Sequence, residues 1–333
     1  MTLIDTATKP HDRLREYLAE DMAAVNTLIR TRMASDHAPR IPEVTAHLVE
    51  AGGKRIRPLM TLAAARLCGY DGTDHQKLAA TVEFIHTATL LHDDVVDESE
   101  QRRGRPTANL LWDNKSSVLV GDYLFSRSFQ LMVECGSLRV LDILANASAT
   151  IAEGEVLQMT AAQNLATGEE TYRLVIKGKT AALFEAATEV GGVVAGASEA
   201  QVAALARFGD ALGMSFQIVD DLLDFGGASG ALGKNIGDDF RERKLTLPMI
   251  KAIAKADEGE RAFWSRTIEK GRQEEGDLDT AMTLLRSHGA LEATRVEALR
   301  YRDLAKSAIG ELPAHPLRDM LADLADFVVE RVS

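Results

Sequence analysis

Two apolar helical stretches that each end in a cluster of aspartates constrain the fold of this 333-residue chain most strongly. The first, 84–107, contains DDVVD at 93–97, preceded by apolar residues near helical spacing. The second, 216–225, contains DDLLD at 220–224, again after a long apolar stretch. Residues four apart on a helix share a face, so the first and last aspartate of each cluster point the same way. We therefore expect two core helices that present carboxylates at their ends.

An isolated acidic run is more often a solvated helix end, but here the pattern recurs and apolar residues flank the first cluster. Those flanking residues, which should be buried, are Leu90, Leu91, Val95 and Val96. Two carboxylates about 4 Å apart repel by roughly 4 kcal/mol at an effective dielectric near 20. Oxygen ligands suit Mg²⁺ better than Zn²⁺, and bound Mg²⁺ usually shares its remaining positions with water and phosphate. The pattern predicts a Mg²⁺–diphosphate site between two helices, with the ligands Asp93, Asp94, Asp97, Asp220, Asp221 and Asp224.

Composition narrows the class of protein. Hydrophobic residues make up 46% of the chain, which is enough for a large core, and the net charge of −12 argues against nucleic acid as a partner. The cysteines Cys68 and Cys135 form no disulfide framework, as is typical of a reducing cytosol. The N-terminus lacks a signal pattern, and no apolar run reaches the roughly 18 residues of a membrane span. We expect a cytoplasmic protein without a transmembrane segment. A peripheral contact with a membrane is compatible with this expectation.

Apolar periodicity predicts an almost entirely helical chain, without strand alternation or a hairpin turn between β-branched runs. The predicted helices lie at about 10–34, 43–51, 58–68, 76–98, 116–135, 138–163, 170–190, 199–225, 246–256, 259–270, 278–310 and 315–331. A glycine-rich bend is expected at Gly191, Gly192 and Gly196. We expect a single domain over 1–333, in which the N-terminal helix precedes a motif-bearing core of about 40–250 and further helices follow.

Basic residues beside glycine loops or helix ends are informative in an acidic protein. Each alone is more often a solvated surface charge, but together they predict a second anion site that needs no metal. They are Lys54, Arg57, Arg102, Arg103, Lys179, Lys234 and Lys244. Arginine suits diphosphate because its donors bind oxygens in pairs.

The histidines give weaker indications. His86 lies two turns before Asp93 on the same face, so a ligand contact and a packed structural role are both open. The pair His92-Asp93 is similar to the metal-binding pair of HD phosphohydrolases. That fold would need further spaced histidines and would leave the second DDLLD unexplained.

Six motifs resemble those of the trans-isoprenyl diphosphate synthases in order and spacing, over about 40–250. They are GGKRIRP at 52–58, DDVVD at 93–97, RRGRPT at 102–107, GKT at 178–180, FQIVDDLLD at 216–224 and GKNIGDD at 233–239. A terpene cyclase would differ in the second aspartate motif. The resemblance implies an all-α, isoprenoid synthase-like helical bundle around a deep central cavity, and a homodimer. It also implies three Mg²⁺ ions, with Mn²⁺ as the alternative, and isopentenyl diphosphate and an allylic diphosphate as substrates.

The resemblance also implies residue roles. Direct Mg²⁺ ligands are Asp93, Asp97 and Asp220. Asp94, Asp221 and Asp224 bind the ions through water or support the direct ligands. Contacts to the allylic diphosphate are Arg102, Lys179 and Lys234, and those to isopentenyl diphosphate are Lys54, Arg57, His86 and Arg103. The catalytic residues are Lys179, Thr180 and Gln217, of which Thr180 and Gln217 face the allylic carbon. Phe216 and Lys244 complete the substrate site. The chain departs from many relatives at Arg243, where they have glycine.

Small residues below the first aspartates predict a long product. Thr89 is one turn, about 6 Å, below Asp93, and its neighbour Ala88 is also small, whereas short-chain relatives have aromatic side chains at this level. Ile85 lies one turn further down. The tunnel floor must come from elsewhere, and helix 116–135 offers the candidates Phe125, Phe129 and Met132.

The resemblance also predicts the product and the reaction. The stretch DDFRERKLTLP at 238–248 most resembles bacterial decaprenyl and octaprenyl diphosphate synthases, which supply quinone side chains. We expect extension of farnesyl diphosphate to an octaprenyl to decaprenyl chain. The alternatives are a short-chain farnesyl or geranylgeranyl diphosphate synthase, a terpene cyclase-type lyase, a non-catalytic regulatory subunit and a structural helical protein. The last would leave the aspartates and paired arginines without a role.

Overall fold

The structure is a computed structural model that describes residues 9–50, 53–102, 104–226 and 236–331. The described residues are almost entirely helical. In chain order the helices are α1 (Pro10–Tyr17), α2 (Ala19–Arg32), α3 (Arg40–Glu50), α4 (Ile56–Leu67), α5 (Asp74–Val96), α6 (Ala108–Leu111), α7 (Asn114–Glu134), α8 (Leu138–Ala161), α9 (Glu169–Ile176), α10 (Ala182–Val194), α11 (Glu199–Gly226), α12 (Asp238–Arg241), α13 (Leu247–Lys255), α14 (Glu258–Trp264), α15 (Asp277–Ser287), α16 (Ala290–Gly310) and α17 (Pro316–Glu330). Two π-helical turns, Lys177–Ala181 and Ser265–Glu269, follow α9 and α14.

Several predicted helices are divided in the structure. The predicted N-terminal helix breaks at Leu18, whose φ of −106° and ψ of 24° separate α1 from α2. The predicted helix at 278–310 is two helices, because Gly289 adopts a φ of +63° between α15 and α16. Glycine tolerates this left-handed conformation and therefore ends a helix at little cost.

The predicted bend at Gly191 and Gly192 is wrong, because α10 runs through both residues. A Cβ on Gly191 would lie 2.6 Å from the carbonyl oxygen of Thr61 and 2.8 Å from the Cβ of Ala64 in α4. The glycine therefore serves close packing of two helices. The bend comes after the helix, at Gly196, with a φ of +65°.

A short hairpin lies in the segment after α5, between the predicted helices at 76–98 and 116–135. Strands β1 (Gln101–Arg102) and β2 (Arg105–Pro106) pair antiparallel, and Gly104 in the turn has a φ of +74°. Two residues per strand are too few to produce the alternation by which a strand is predicted.

The chain forms two compact units. Unit 1 comprises 1–148, 183–206 and 311–323, and unit 2 comprises 149–182, 207–310 and 324–333. The single domain and the deep central cavity expected from the sequence stay predictions.

Unit 1 is built around α5, which packs against α2, α4 and α7. Its side chains Leu78, Val82, Phe84 and Ile85 are fully buried. Burial on every side fixes the direction of α5, and with it the position of the first aspartate cluster at the end of this helix.

Unit 2 has a core that begins at the end of the second aspartate cluster. Phe225, which follows Asp224, packs with Phe240, Met249 and Trp264, all at most 2% exposed. The second motif is thereby anchored in the apolar core of this unit.

Helix α11 is long and apolar enough to cross a membrane by length and composition. It is the one such helix among the described residues, and 67% of its most apolar window is buried inside the protein. That burial is typical of a core helix in a globular protein.

Candidate active site

The end of α5 holds the first aspartate cluster, in which the three carboxylates differ in access. Asp94 is fully buried, Asp93 is half-buried and Asp97 is exposed. The hairpin after α5 brings Arg102 back to Asp94, whose Oδ1 accepts hydrogen bonds from Nε at 2.9 Å and Nη2 at 2.7 Å. The other oxygen, Oδ2, is buried without a hydrogen-bond partner. Arg102, predicted to contact a diphosphate, is therefore bonded here to the middle aspartate.

The sequence predicted that the apolar residues flanking this cluster are buried, but not all of them are. Leu91 is fully buried, but Val96 is 56% exposed. Helix α5 ends at Val96, so helical packing no longer determines the burial of this side chain.

His92 points toward α7. Its Nε2 lies 3.2 Å from the carbonyl oxygen of Val118 and 3.4 Å from Oδ1 of Asp122. A Cβ on Gly121 would lie 2.3 Å from the same nitrogen, so this glycine makes room for the imidazole. The geometry explains His92 by helix packing and gives no support to an HD-type pair with Asp93.

Arg57 and His86 come together, as predicted for an anion site. Nη1 of Arg57 lies 3.3 Å from Nε2 of His86. The guanidinium carbon of Arg57 lies 4.4 Å from the ring centroid of Phe184, which is cation–π geometry. Lys54, three residues before Arg57, is exposed to solvent.

The end of α11 holds the second aspartate cluster, which is organised around Asp221. Oδ2 of Asp221 accepts a hydrogen bond from the Tyr172 hydroxyl at 2.6 Å, and Oδ1 accepts one from Nε2 of Gln217 at 2.8 Å. Oε1 of Gln217 in turn accepts a bond of 2.7 Å from Oγ1 of Thr180. A single chain of hydrogen bonds therefore links two predicted catalytic residues to the middle aspartate.

Burial raises the pKa of Asp221 to about 7, against the opposing hydrogen bonds from Tyr172 and Gln217. The neighbouring carboxylates Asp220 and Asp224 raise it further. Burial also holds the pKa of Tyr172 well above its ordinary value. A positive charge near such a carboxyl group favours its ionised form, so the group is suited to a nearby cation.

Asp224 is held by the backbone that follows the second cluster. Its two carboxylate oxygens accept hydrogen bonds of 3.1 Å from the backbone N–H groups of Asp238 and Asp239. Its carbonyl oxygen accepts a bond of 2.9 Å from Gly237, whose φ is +79°. The GDD segment is thus tied directly to the last aspartate of the motif.

A π-helical turn, Lys177–Ala181, presents Lys179 and Thr180, although the sequence predicted one continuous helix over 170–190. Such turns occur frequently at functional sites. The turn lies unusually close to α8, since a Cβ on Gly178 would be 2.7 Å from the Cα of Gly154. Next to this contact, Nζ of Lys179 lies 3.2 Å from Oε2 of Glu155.

Two further predicted substrate-binding residues, Phe216 and Lys244, each lie near a charged side chain. Phe216 is half-buried, with the Arg331 guanidinium carbon 5.8 Å from its ring centroid, and Nζ of Lys244 lies 2.7 Å from Oε2 of Glu242. Arg243 has a φ of +58°, the left-handed conformation that glycine favours, which explains the glycine of many relatives. The predicted residues Arg103 and Lys234 lie outside the described residues.

The predicted chain-length residues differ in burial. Ile85 and Ala88 are at most 1% exposed, and Thr89 is half-buried with its hydroxyl donating to the His86 carbonyl at 2.8 Å. Phe129 is 38% exposed, and its ring packs edge-on against Phe125 with centroids 5.3 Å apart. The small residues Ala88 and Thr89 therefore lie on a packed part of α5, whereas Phe129 lies at the surface of unit 1.

Tyr172, Glu155 and Gly154 were not predicted as site residues. Tyr172 lies two helical turns before Thr180, and that spacing is the one sequence signal that could have pointed to it. Within the part of the chain that the structure describes, no three His, Cys, Asp or Glu side chains form a group able to hold a metal ion. The two clusters do supply carboxylate oxygens, the ligand type that Mg²⁺ prefers.

A family model described as polyprenyl synthetase matches residues 38–285. The chain belongs to the polyprenyl synthetase family. The match extends beyond residue 250, where the motif resemblance ended. It includes helix α14, which the sequence motifs did not reach.

Curated polyprenyl synthetases match along nearly their whole length. Octaprenyl diphosphate synthase of Escherichia coli (strain K12) is 43% identical over 320 residues, 96% of this chain and 98% of that protein. A geranyl-diphosphate-specific all-trans-nonaprenyl-diphosphate synthase of Rhodobacter capsulatus is 42% identical over 316 residues, 95% of this chain and 96% of that protein.

Solved structures of polyprenyl synthetases match equally well. A decaprenyl diphosphate synthase from Rhodobacter capsulatus has a TM-score of 0.95 and 73% identity, covering 97% of this chain and 99% of that one. A polyprenyl synthase from Caulobacter crescentus CB15, complexed with calcium and isoprenyl diphosphate, has a TM-score of 0.92 and 53% identity, covering 97% and 98%.

These matches confirm the predicted family, the all-α isoprenoid synthase fold and the reaction class. The chain is a prenyltransferase of the polyprenyl synthetase family. Members of the family use a divalent metal ion to bind diphosphate. The matches argue against the three alternatives of a terpene cyclase, a non-catalytic regulatory subunit and a structural protein.

Proposed function

We propose that this polyprenyl synthetase extends farnesyl diphosphate with successive isopentenyl diphosphates to an all-trans octaprenyl to decaprenyl diphosphate for quinone side chains. The observation that carries the proposal is the 73% identity, over 97% of the chain, to a decaprenyl diphosphate synthase. The names of relatives at 43% and 42% identity, an octaprenyl and a nonaprenyl synthase, support the same range.

The two aspartate motifs bind Mg²⁺ in this proposal, as three ions, with Mn²⁺ as the alternative. Asp93, Asp97 and Asp220 are the direct ligands, while Asp94, Asp221 and Asp224 act through water or by orienting their neighbours. The burial of both middle aspartates and the hydrogen bonds to them support this division. The Caulobacter crescentus relative, complexed with calcium and isoprenyl diphosphate, supports a divalent ion. When bound, Mg²⁺ acts as a Lewis acid on the leaving diphosphate.

Basic residues hold the two diphosphates. Arg102, Lys179 and Lys234 bind the allylic diphosphate, and Lys244 and Phe216 complete that substrate site. Lys54, Arg57, His86 and Arg103 bind isopentenyl diphosphate. The contact between Arg57 and His86 supports the second group. Glu155 and Asp94 keep Lys179 and Arg102 in place through charged contacts.

Thr180 and Gln217 stabilise the allylic cation that forms when the C–O bond breaks. Their dipoles are fixed by the hydrogen bond between them and by the bond from Gln217 to Asp221, so they need not reorganise during the reaction. The double bond of isopentenyl diphosphate then attacks the cation. A proton leaves to the departing diphosphate, so the reaction requires no protein nucleophile.

The growing tail follows α5 past Thr89, Ala88 and Ile85, with Phe129 of α7 among the residues that end the path. The small size of Ala88 and Thr89 supports a path that stays open at this level. We further propose a cytoplasmic homodimer without nucleic-acid partners, with peripheral membrane contact when the product leaves. The net charge of −12 supports the absence of nucleic-acid partners, and the free thiols Cys68 and Cys135 support the compartment.

The activity assay measures diphosphate release from farnesyl and isopentenyl diphosphate. We expect release with Mg²⁺, none with EDTA, and a loss of at least about a hundredfold in kcat for Asp97→Asn and for Asp220→Asn. Asp279→Asn, an acidic residue of α15 with no proposed role, is the control and should retain activity. Full release with EDTA, or by both motif variants, would contradict the proposal.

A further inference from the structure

Arg55 has an unusual backbone conformation in the middle of the GGKRIRP motif. Its φ of 52° and ψ of 38° are left-handed, directly before α4. A side chain with a Cβ is strained in this region and stays there only where its surroundings hold it. The residue lies between Lys54 and Arg57, both proposed to bind isopentenyl diphosphate, but has no role in that binding itself.

The contact that holds Arg55 is an ion pair with Glu83 in α5. Nη1 of Arg55 donates to Oε1 of Glu83, and the two side chains are only 14% and 11% exposed. Glu83 is flanked by Val82 and Phe84, which are fully buried. A carboxylate among such residues is unfavourable without a partner, so Glu83 fixes the place of Arg55.

The Arg55–Glu83 pair runs parallel to the contact between Arg57 and His86. Glu83 and His86 are three residues apart and therefore neighbours on one face of α5. Arg55 and Arg57 are two residues apart in the segment that lies on this face. Together with the packing of α4 on α5, these two contacts fix how the start of α4 and the residue before it lie on this face.

The backbone of Lys54 is fixed as well. Its carbonyl oxygen accepts a hydrogen bond of 3.0 Å from Nη2 of Arg15 in α1. The peptide bond that follows Lys54 is therefore held on one side by Arg15 and on the other by the Arg55–Glu83 pair. The direction in which the Lys54 side chain leaves the backbone follows from these contacts.

We propose that Arg55 and Glu83 are positioning residues for the binding of isopentenyl diphosphate. Neither touches the substrate; the pair sets the left-handed turn that directs Lys54 and Arg57. Replacing a buried ion pair by apolar residues often leaves a protein as stable or makes it more stable, so stability alone gives a weak reason for the pair. The inference rests on the proposed function, through the assignment of Lys54, Arg57 and His86.

Steady-state kinetics of Glu83→Gln test the inference. We expect the KM for isopentenyl diphosphate to rise about tenfold, with kcat and the KM for the allylic diphosphate changed less than about twofold. Arg55→Gln should have the same effect, and the double variant should be no worse than either single one, because the two residues act through each other. Arg55→Lys keeps the charge and should restore part of the affinity.

The matched control is Asp21→Asn, which breaks another ion pair of unit 1 with a buried carboxylate, that between Asp21 and Arg66 of α4. It should lower Tm and leave both KM values unchanged. If Glu83→Gln and Arg55→Gln likewise lower Tm and leave both KM values unchanged, the pair is only structural and the inference is wrong.

The variant Arg57→Gln separates this failure from failure of the proposed function. A raised KM for isopentenyl diphosphate in Arg57→Gln, combined with an unchanged KM in Glu83→Gln, would overturn the positioning role alone. An unchanged KM in Arg57→Gln would overturn the substrate assignment on which it rests.

Discussion

At the scale of single residues, the middle aspartate differs from the first aspartate in the same way in both motifs. The middle aspartate of each is buried and bonded by a side chain, Asp94 by Arg102 and Asp221 by Tyr172. The first aspartate of each motif is half-buried. A motif of three carboxylates therefore consists of accessible oxygens and one carboxylate that holds the local structure in place.

Tyr172→Phe removes the hydroxyl that donates to Asp221 and keeps the ring. A hydrogen bond to a charged group contributes about 1.5–3 kcal/mol, so we expect kcat/KM to fall about 10- to 100-fold. The Mg²⁺ concentration for half-maximal rate should rise as well. Tyr123→Phe is the control, because it also removes one phenol hydroxyl, which donates to the Ala34 carbonyl at 2.8 Å. Equal kinetics of wild type and Tyr172→Phe would refute the role.

At the scale of elements, one polar network around the buried Asp21 and His75 joins α2, α4 and α5. The carboxylate of Asp21 accepts two bonds of 2.8 Å from Arg66 and one of 2.7 Å from Gln76, and Nε2 of His75 lies 3.0 Å from it. Although burial raises the pKa of Asp21, these hydrogen bonds lower it to about 2. Burial lowers the pKa of the fully buried His75, against the opposing effect of Asp21.

The network predicts a loss of stability in acid in two steps. His75 is neutral in the folded protein, so the unfolded chain binds the extra proton, and Tm should fall as the pH drops through 6.5. Asp21 should add a second loss as the pH falls from 3.8 toward about 2. Thermal unfolding of wild type and His75→Gln between about pH 7.5 and about pH 5.5 measures the first step. An equal fall in Tm for both proteins would exclude His75 as its origin.

The close approach of α8 to the π-helical turn is a second feature at this scale. In Gly178→Ala the new Cβ would lie 2.7 Å from both the Cα of Gly154 and the Thr150 carbonyl oxygen, so the backbone must move. We expect a loss of about 1–3 kcal/mol in stability and at least about tenfold in kcat, because Lys179 and Thr180 move with it. Gly168→Ala, with nothing within 4 Å of the new Cβ, is the control. Full activity of Gly178→Ala would contradict this positioning role.

At the scale of the whole molecule, the sequence predicts helix positions and the aspartate motifs because these depend on residues close in the chain. Asp93 and Asp97 share a face by spacing alone. Tyr172 with Asp221, and Arg55 with Glu83, are single residues 49 and 28 positions apart, and no local pattern connects them. The π-helical turn at 177–181 has no periodicity of its own, and its shape depends on the glycine contact with α8. Predictions therefore failed where tertiary contacts determine the structure.

Product chain length tests the central claim most directly. The purified protein is incubated with Mg²⁺, farnesyl diphosphate and excess isopentenyl diphosphate, and the dephosphorylated products are measured by mass, alongside those of Ala88→Phe. We predict a narrow octaprenyl to decaprenyl distribution for wild type and a shift to much shorter chains for the variant. Unchanged products from Ala88→Phe would refute the tail path along α5. A wild-type product that stops at geranylgeranyl diphosphate would contradict the assignment as a long-chain synthase.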